Sequence, residues 1–217
     1  MEQRSPEWFA ARCGKVTASR VADLMARTKT GWGASRANYM AELVAERLTG
    51  VPAQGFTNAA MAWGVENECH AREAYAAHMG CEVVEIGFVD HPEIQWFGAS
   101  PDGLVGSDGL MEAKCPNTST HIDTLLSQSV PAKYITQMQV QMACTDRAWC
   151  DFVSYDPRMP ADLRLFVQRI DRDVSAIVDL ETEVSAFLRE LDAKVEQLRS
   201  IRSQGQRVAN NGALEAA

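Results

Sequence analysis

Three charged residues in the middle of the chain are spaced for chemistry on a phosphate ester. Asp102 lies in a turn sequence after Pro101, and Glu112 and Lys114 stand two residues apart in an otherwise apolar run. Side chains two apart on a strand leave the same face. An Asp-Gly turn at 108–109 would fold that strand back towards Asp102. Two carboxylates and one ammonium are therefore expected to converge.

Such a cluster suits a hard divalent cation. Two adjacent carboxylates repel each other, and Mg²⁺ or Mn²⁺ removes that cost because these ions prefer oxygen ligands. A bound ion of this kind polarises a phosphoryl oxygen and acidifies a water, and Lys114 could orient that water or stabilise developing charge. The pattern predicts phosphodiester hydrolysis, although an Asp-Gly pair is most often a turn and Glu-x-Lys most often a solvated strand face.

Apolar periodicity, capping residues and turn signals predict the elements that position these groups. Helices are predicted over 5–14, 17–27, 35–48, 58–79, 119–128, 132–144 and 172–201, with loops over 28–33 and 51–57. Strands are predicted over 82–89, 95–99, 104–105, 110–115, 148–155 and 163–170. The last helix carries an apolar stripe that favours packing on the core over packing on another subunit. We expect one mixed α/β domain over 1–203 and a flexible tail over 204–217.

Composition and charge restrict the class of protein. The chain has 217 residues, of which 46% are hydrophobic and 23% charged, a balance typical of a soluble globular domain. A secretory signal is not apparent, and six scattered cysteines without a C-x-x-C pair favour reduced thiols in a cytoplasm. The net charge is −8, yet residues 1–36 carry +4 and the remainder −12. A basic N-terminal segment on an acidic body can hold a phosphate backbone locally.

Five ordered sequence blocks resemble one nuclease family. The string SPDGLV…GLMEAKCP is similar to the phage lambda exonuclease family, also described as YqaJ-type viral recombinases, within the PD-(D/E)XK nuclease superfamily. The other blocks are EWFAARCGKVTAS, AMAWGVENECHAR, YITQMQVQM and YDPRM. The resemblance covers about residues 7 to 200. It implies a restriction-endonuclease-like α/β core, with a central mixed sheet flanked by helices and a long C-terminal helix.

The resemblance implies roles for the acidic cluster. Asp102, Glu112 and the backbone carbonyl of Ala113 would be metal ligands, and Lys114 the catalytic lysine. Glu68 would help to hold a second metal, with Glu66 as the competing acid. Two Mg²⁺ ions per site are implied, with Mn²⁺ able to substitute.

The same resemblance implies further site residues. Gln137 would be a catalytic glutamine, and the alternative for it is a polar position on the helix surface. Tyr134 would be a supporting aromatic residue, and the alternative for it is simple core packing. Arg12 and Ser19 would bind a 5′-phosphate. The alternatives are that Arg12 is a cation in the last turn of a helix and that Ser19 is an N-cap. Met61 would separate the two DNA strands as a wedge, and the alternative is that it is a buried core methionine. The sequence leaves open whether Trp32, in the loop over 28–33, stacks on a base or packs.

The activity implied is that of a Mg²⁺-dependent, processive 5′→3′ exonuclease on linear double-stranded DNA. It would prefer 5′-phosphorylated ends, release 5′-mononucleotides and leave a 3′ single strand. Implied partners are two further copies in a ring-shaped homotrimer and a single-strand annealing recombinase, in a bacterial or phage-infected cell; a membrane is not expected. The alternatives are a PD-(D/E)XK endonuclease and a catalytically silent DNA-end-binding protein. Scattered cysteines disfavour an iron–sulfur relative.

Overall fold

A computed structural model describes residues 1–53 and 59–214, with side chains to Gln204. The helices are α1 (Pro6–Arg12), α2 (Val21–Met25), α3 (Ala34–Thr49), α4 (Ala59–Met79), α5 (Thr118–Ser127), α6 (Ala132–Thr145) and α7 (Val174–Leu214). The strands are β1 (Val16–Thr17), β2 (Arg27–Thr28), β3 (Gly31–Trp32), β4 (Val83–Val84), β5 (Val89–Asp90), β6 (Phe97–Ala99), β7 (Gly103–Val105), β8 (Gly109–Lys114), β9 (Trp149–Tyr155) and β10 (Leu165–Asp171).

A five-stranded mixed sheet forms the centre of the fold. Its strand order is β10-β9-β8-β7-β4, in which β8 and β9 run parallel and the other neighbours antiparallel. A smaller sheet of order β1-β6-β5 lies beside it, and β2 and β3 form a separate hairpin. The predicted mixed α/β architecture with helices around a central sheet is confirmed.

The apolar stripe of the last helix packs within its own chain. Four of its five members, Val184, Leu188, Leu191 and Val195, are buried in a cluster with α3 and the N-terminal elements. The fifth, Leu198, is 43% exposed, so the prediction is wrong at that position. Within that cluster the rings of Tyr39 and Phe187 stack with their centres 5.9 Å apart. The prediction of core packing is therefore confirmed for the four buried positions.

Several predicted boundaries differ from the structure because distant segments pair with them. The helix expected over 17–27 is replaced by β1, a 3₁₀ turn at Ala18–Arg20, α2 and the start of β2, since β1 pairs in parallel with β6. The loop expected over 28–33 contains part of the β2–β3 hairpin. The strand expected over 82–89 is divided between the two sheets as β4 and β5. Gly87 lies at that division, where an added Cβ would come within 2.5 Å of the Met1 carbonyl oxygen.

The helix α4 begins, and α7 ends, beside residues that the structure does not describe. Asn58, the predicted start of the long helix, lies outside the described residues, as do residues 54–57 of the preceding loop. The last helix, α7, continues to Leu214, beyond its predicted end at Ile201. The flexibility expected of 204–217 stays a prediction. Among the described residues, we find no helix with the length and apolar character needed to cross a membrane.

Candidate active site

The middle strand of the large sheet positions two of the predicted residues. β8 lies between β7 and β9, and Glu112 pairs in register with Phe152. Because the side-chain period of a strand is two, Glu112 and Lys114 share one face. The Lys114 ammonium contacts Glu112 Oε1 directly. Glu112 is only 1% exposed, so its charge depends on partners inside the protein.

Asp102 joins this pair through the backbone. It lies between β6 and β7, where the turn into β8 brings it beside the middle strand. The Ala113 N–H donates a hydrogen bond of 2.8 Å to Asp102 Oδ2. This bond sits at the residue between Glu112 and Lys114. The structure therefore brings the three predicted charged groups together.

The electrostatics of the cluster follow from burial and from the neighbouring charges. Burial, together with the charge of Glu112, raises the pKa of Asp102 well above its usual value. Burial alone would lower the pKa of Lys114, but the carboxylates of Glu112 and Asp102 outweigh it and raise that pKa. Lys114 is therefore a cation at neutral pH, and its ammonium interacts electrostatically with both Glu112 and Asp102.

Two glutamines of α6 complete the surroundings of Glu112. Gln137 Nε2 donates to Glu112 Oε1 at 2.5 Å, and Gln141 Nε2 donates to Glu112 Oε2 at 2.5 Å. Both glutamines are buried, so the surface alternative for Gln137 is wrong. Gln141 was missed by the sequence interpretation. The available signal was the spacing of four between the two glutamines, which places both on one face of a helix.

Tyr134 supports the cluster and also packs in the core. Its ring stacks on Phe152 with the ring centres 5.5 Å apart. Lys114 Nζ lies 5.2 Å from the centre of the same ring. Tyr134 therefore connects the core beneath β9 to the lysine of the site.

Glu68, rather than Glu66, faces the acidic cluster. Glu68 is on α4, contacts Arg4 and lies 3.5 Å from Arg72. Its charge contributes to the raised pKa of Asp102, whereas Glu66 is exposed. Glu68 also contributes to the pKa of Cys115, which burial above all raises to about 12. The N-terminal contact with Arg4 was not expected from the sequence.

A cavity of about 300 Å³ brings together the residues predicted to bind a terminal phosphate. Arg12, Ser19 and Met61 all line it. Burial lowers the pKa of Arg12 to about 10, so its guanidinium remains a cation at neutral pH. Ser19 lies in the 3₁₀ turn rather than at its N-cap. Met61 is 52% exposed, so the alternative of a buried core methionine is wrong.

Ser100 connects this cavity to the acidic cluster. Its hydroxyl accepts hydrogen bonds from Trp8 Nε1 at 2.9 Å and from Arg12 Nη1 at 3.2 Å. The Arg12 guanidinium also lies 4.0 Å from the centre of a Trp8 ring. Ser100 is separated from Asp102 only by Pro101. The cavity wall and the acidic cluster therefore share one short stretch of chain.

Trp32 lies in the β2–β3 hairpin and contacts two arginines. The guanidinium carbons of Arg27 and Arg36 are 3.6 and 4.0 Å from the centre of its ring. Arg36 is itself buried and paired with Glu190 at 2.7 Å. The indole therefore packs against two ion-paired arginines while remaining 40% exposed.

The donor set of the cluster fits a hard divalent cation. The carboxylates of Asp102 and Glu112 and the Ala113 carbonyl are oxygen donors of the kind that Mg²⁺ and Mn²⁺ prefer. Burial, followed by the charge of Glu112, raises the pKa of Asp102, and a bound cation would favour its ionised form. Over residues 1–53 and 59–214, no three His, Cys, Asp or Glu side chains form a metal-binding group by themselves.

The fold and the site define the PD-(D/E)XK class: a mixed sheet whose middle strand carries Glu112 and Lys114, with Asp102 beside it. The YqaJ-like viral recombinase domain model matches residues 7–148, and the chain belongs to this family. None of the curated proteins compared with the chain matches it.

Two solved structures show the extent of the likeness. The alkaline exonuclease LHK-Exo from Laribacter hongkongensis is 57% identical, with a TM-score of 0.86 over 92% of this chain and 99% of that chain. LHK-Exo has also been solved in complex with dAMP. A phage-related exonuclease from Haemophilus somnus 129PT is 19% identical, with a TM-score of 0.69 over 85% and 96% of the two chains. That second likeness shows the fold alone.

Proposed function

We propose that this protein is a Mg²⁺-dependent, processive 5′→3′ exonuclease on linear double-stranded DNA. The main support is that Arg12, which lines the cavity, donates a hydrogen bond to Ser100, two residues before Asp102 in the cluster with Lys114. Membership of the YqaJ-like family and 57% identity to an alkaline exonuclease support a nuclease. The dAMP complex of LHK-Exo supports release of 5′-mononucleotides.

The residues of the cluster have different roles in the proposed hydrolysis. A divalent ion held by Asp102, Glu112 and the Ala113 carbonyl, with a second near Glu68, would supply Lewis acidity and a more acidic water. Lys114 remains protonated, so its ammonium can orient the attacking water and neutralise charge that develops on the phosphoryl oxygens. Gln137 holds Glu112 in place by donating to its Oε1 atom.

The cavity supplies recognition of the DNA end. A guanidinium suits bidentate contact with a phosphate, and burial strengthens that contact because little water competes. Arg12 would hold the 5′-phosphate, and the hydroxyl of Ser19, an exposed residue on the same cavity, would add a further donor. Met61 lies on the same cavity with its side chain half exposed, in a place suited to separating the two strands.

Membership of the family supports a proposal for the wider setting of the activity. We propose a ring-shaped homotrimer, which would explain processivity without strong affinity on an acidic body of net charge −8. The remaining 3′ strand would pass to a single-strand annealing recombinase for DNA recombination. The setting proposed is the cytoplasm of a bacterial or phage-infected cell.

The test is digestion of a linear duplex with one labelled 5′-phosphate end, in Mg²⁺ and in EDTA, beside a covalently closed circle. We expect mononucleotides from the 5′ end only in Mg²⁺, with the circle intact. Cutting of the circle would instead identify an endonuclease. Binding of DNA ends without cleavage in Mg²⁺ or Mn²⁺ would identify a catalytically silent end-binding protein.

A further inference from the structure

Gln141 occupies the inner side of Glu112 and has no access to solvent. Its side chain is 0% exposed, and its Nε2 atom donates at 2.5 Å to Glu112 Oε2. The other carboxylate oxygen, Oε1, takes the contacts of Lys114 and Gln137. The two oxygens of Glu112 therefore have different neighbours, and Gln141 satisfies the oxygen that faces away from the lysine.

A second buried residue contacts the other end of the Gln141 amide. Cys150 on β9 is 0% exposed, and its Sγ lies 3.9 Å from Gln141 Oε1. Burial above all, followed by the charge of Glu112, raises the pKa of Cys150 well above its usual value. The thiol therefore keeps its proton and can donate to Oε1. An amide that accepts at one end and donates at the other has one favourable orientation here.

We propose that Gln141 is a positioning residue that tunes the affinity of Glu112 for a divalent cation, with Cys150 setting the direction of its amide. This inference rests on the proposed metal-dependent function. With Oε2 held by Gln141, the carboxylate cannot rotate, and Oε1 stays on the side of Lys114. Without that donor, a carboxylate oxygen would be buried and unpaired, and Glu112 would reorient to regain a partner.

The experiment measures binding of Mn²⁺ itself, apart from nuclease activity. Electron paramagnetic resonance of free Mn²⁺ gives the dissociation constant for the full-length, DNA-free protein. We expect Gln141→Met to weaken Mn²⁺ binding about 10- to 100-fold, the range for partners that orient a metal ligand. Binding of a 5′-phosphorylated duplex in EDTA should be unchanged, because Gln141 does not line the cavity that contains Arg12.

Gln139 provides a matched control on the same helix. It is 3% exposed, donates to the Asp171 carbonyl at 2.9 Å and accepts from the Asp173 N–H at 2.9 Å. Gln139→Met should therefore lower the melting temperature and leave the Mn²⁺ dissociation constant unchanged. Equal weakening in both variants would mean that loosened packing of α6 is responsible, and would overturn the positioning role.

Two substitutions of Cys150 test the orienting contact and remain informative if Gln141→Met does not fold. Cys150→Ser keeps a donor and should bind Mn²⁺ within about twofold of the wild type. Cys150→Ala removes the donor and should weaken binding about 3- to 10-fold, less than the loss expected for Gln141→Met, because Cys150 contacts Gln141 and not Glu112 itself. Identical affinity in the serine and alanine variants would overturn the orienting role of Cys150.

The outcomes separate this inference from the proposed function. Absence of Mn²⁺ binding by the wild type would contradict the metal-dependent function itself. Binding by the wild type together with equally tight binding by Gln141→Met would overturn only the role of Gln141.

Discussion

Replacement of Lys114 tests the electrostatic account of the active site most directly. The ammonium compensates the carboxylate of Glu112, whose side chain is 1% exposed, whereas that of Lys114 is 26% exposed. Removing one partner of a fully buried pair costs about 3–5 kcal/mol. Solvent screens the exposed part of the lysine, and Gln137 and Gln141 still donate to Glu112. We therefore expect Lys114→Met to lower the free energy of unfolding by about 1–3 kcal/mol in EDTA.

The assay combines thermal unfolding with nuclease kinetics. For a chain of this size, 1 kcal/mol corresponds to about 2–4 °C, so the melting temperature in EDTA should fall by about 2–12 °C. Cleavage in Mg²⁺ should fall at least about 100-fold, the loss typical of removing one donor to developing charge. Binding of duplex ends should persist, because Arg12 and its cavity are unchanged.

Lys133→Met is the matched control for this substitution. Lys133 is exposed and its Nζ lies 4.7 Å from the centre of the Tyr134 ring that also faces Lys114, at 5.2 Å. We expect wild-type turnover and a melting temperature within about 1–2 °C of the wild type, as for most surface substitutions. Wild-type turnover in Lys114→Met would refute the role assigned to the lysine. Equal losses in both variants would show that the ring environment, not the acidic cluster, is responsible.

Three further predictions concern the cavity, the core and pH. Arg12→Ala should lower the rate on 5′-phosphoryl ends more than on 5′-hydroxyl ends; equal losses in parallel digests would contradict a phosphate site. Tyr75 donates to the buried Asp151 at 2.8 Å, so Tyr75→Phe should cost about 1.5–3 kcal/mol in urea unfolding, and an unchanged midpoint would rule that bond out as stabilising. Burial and Glu112 raise the pKa of Asp102, so the folded, metal-free protein retains a proton that the unfolded chain releases near pH 3.9. Stability in EDTA should therefore decline as pH rises through the folded pKa, and Asp102→Asn should abolish that decline in melts across pH.

The part of the site predictable from sequence is the part built from local spacing. Glu112 and Lys114 share a face because they lie two apart on one strand, and the turn at 108–109 returns the chain towards Asp102. The grouping of Arg12 and Ser19 came from the family resemblance, and the structure places both on one cavity. Local pattern and family motif therefore identified residues that the structure groups together, while their catalytic and binding roles stay predictions.

The remainder depends on contacts between residues far apart in the chain. Gln141 reaches Glu112 across 29 positions, and Gln3 Nε2 donates to the carbonyls of Ile86 and Pro101. A periodicity argument describes one segment at a time, so it could not place these partners. The same reason explains why the segment at 17–27 was predicted as one helix, since β1 forms only by pairing with β6.

The two halves of the site belong to parts of the fold with different resistance to local opening. Glu112 lies on β8, which is hydrogen-bonded along both edges and covered by core side chains. Arg12 ends α1, a helix of seven residues of which none is fully buried. Amide hydrogens of β8 should consequently exchange only on global unfolding, whereas those of α1 exchange through smaller fluctuations. On warming, discrimination between DNA ends would then be lost at lower temperature than the capacity to hydrolyse a phosphodiester.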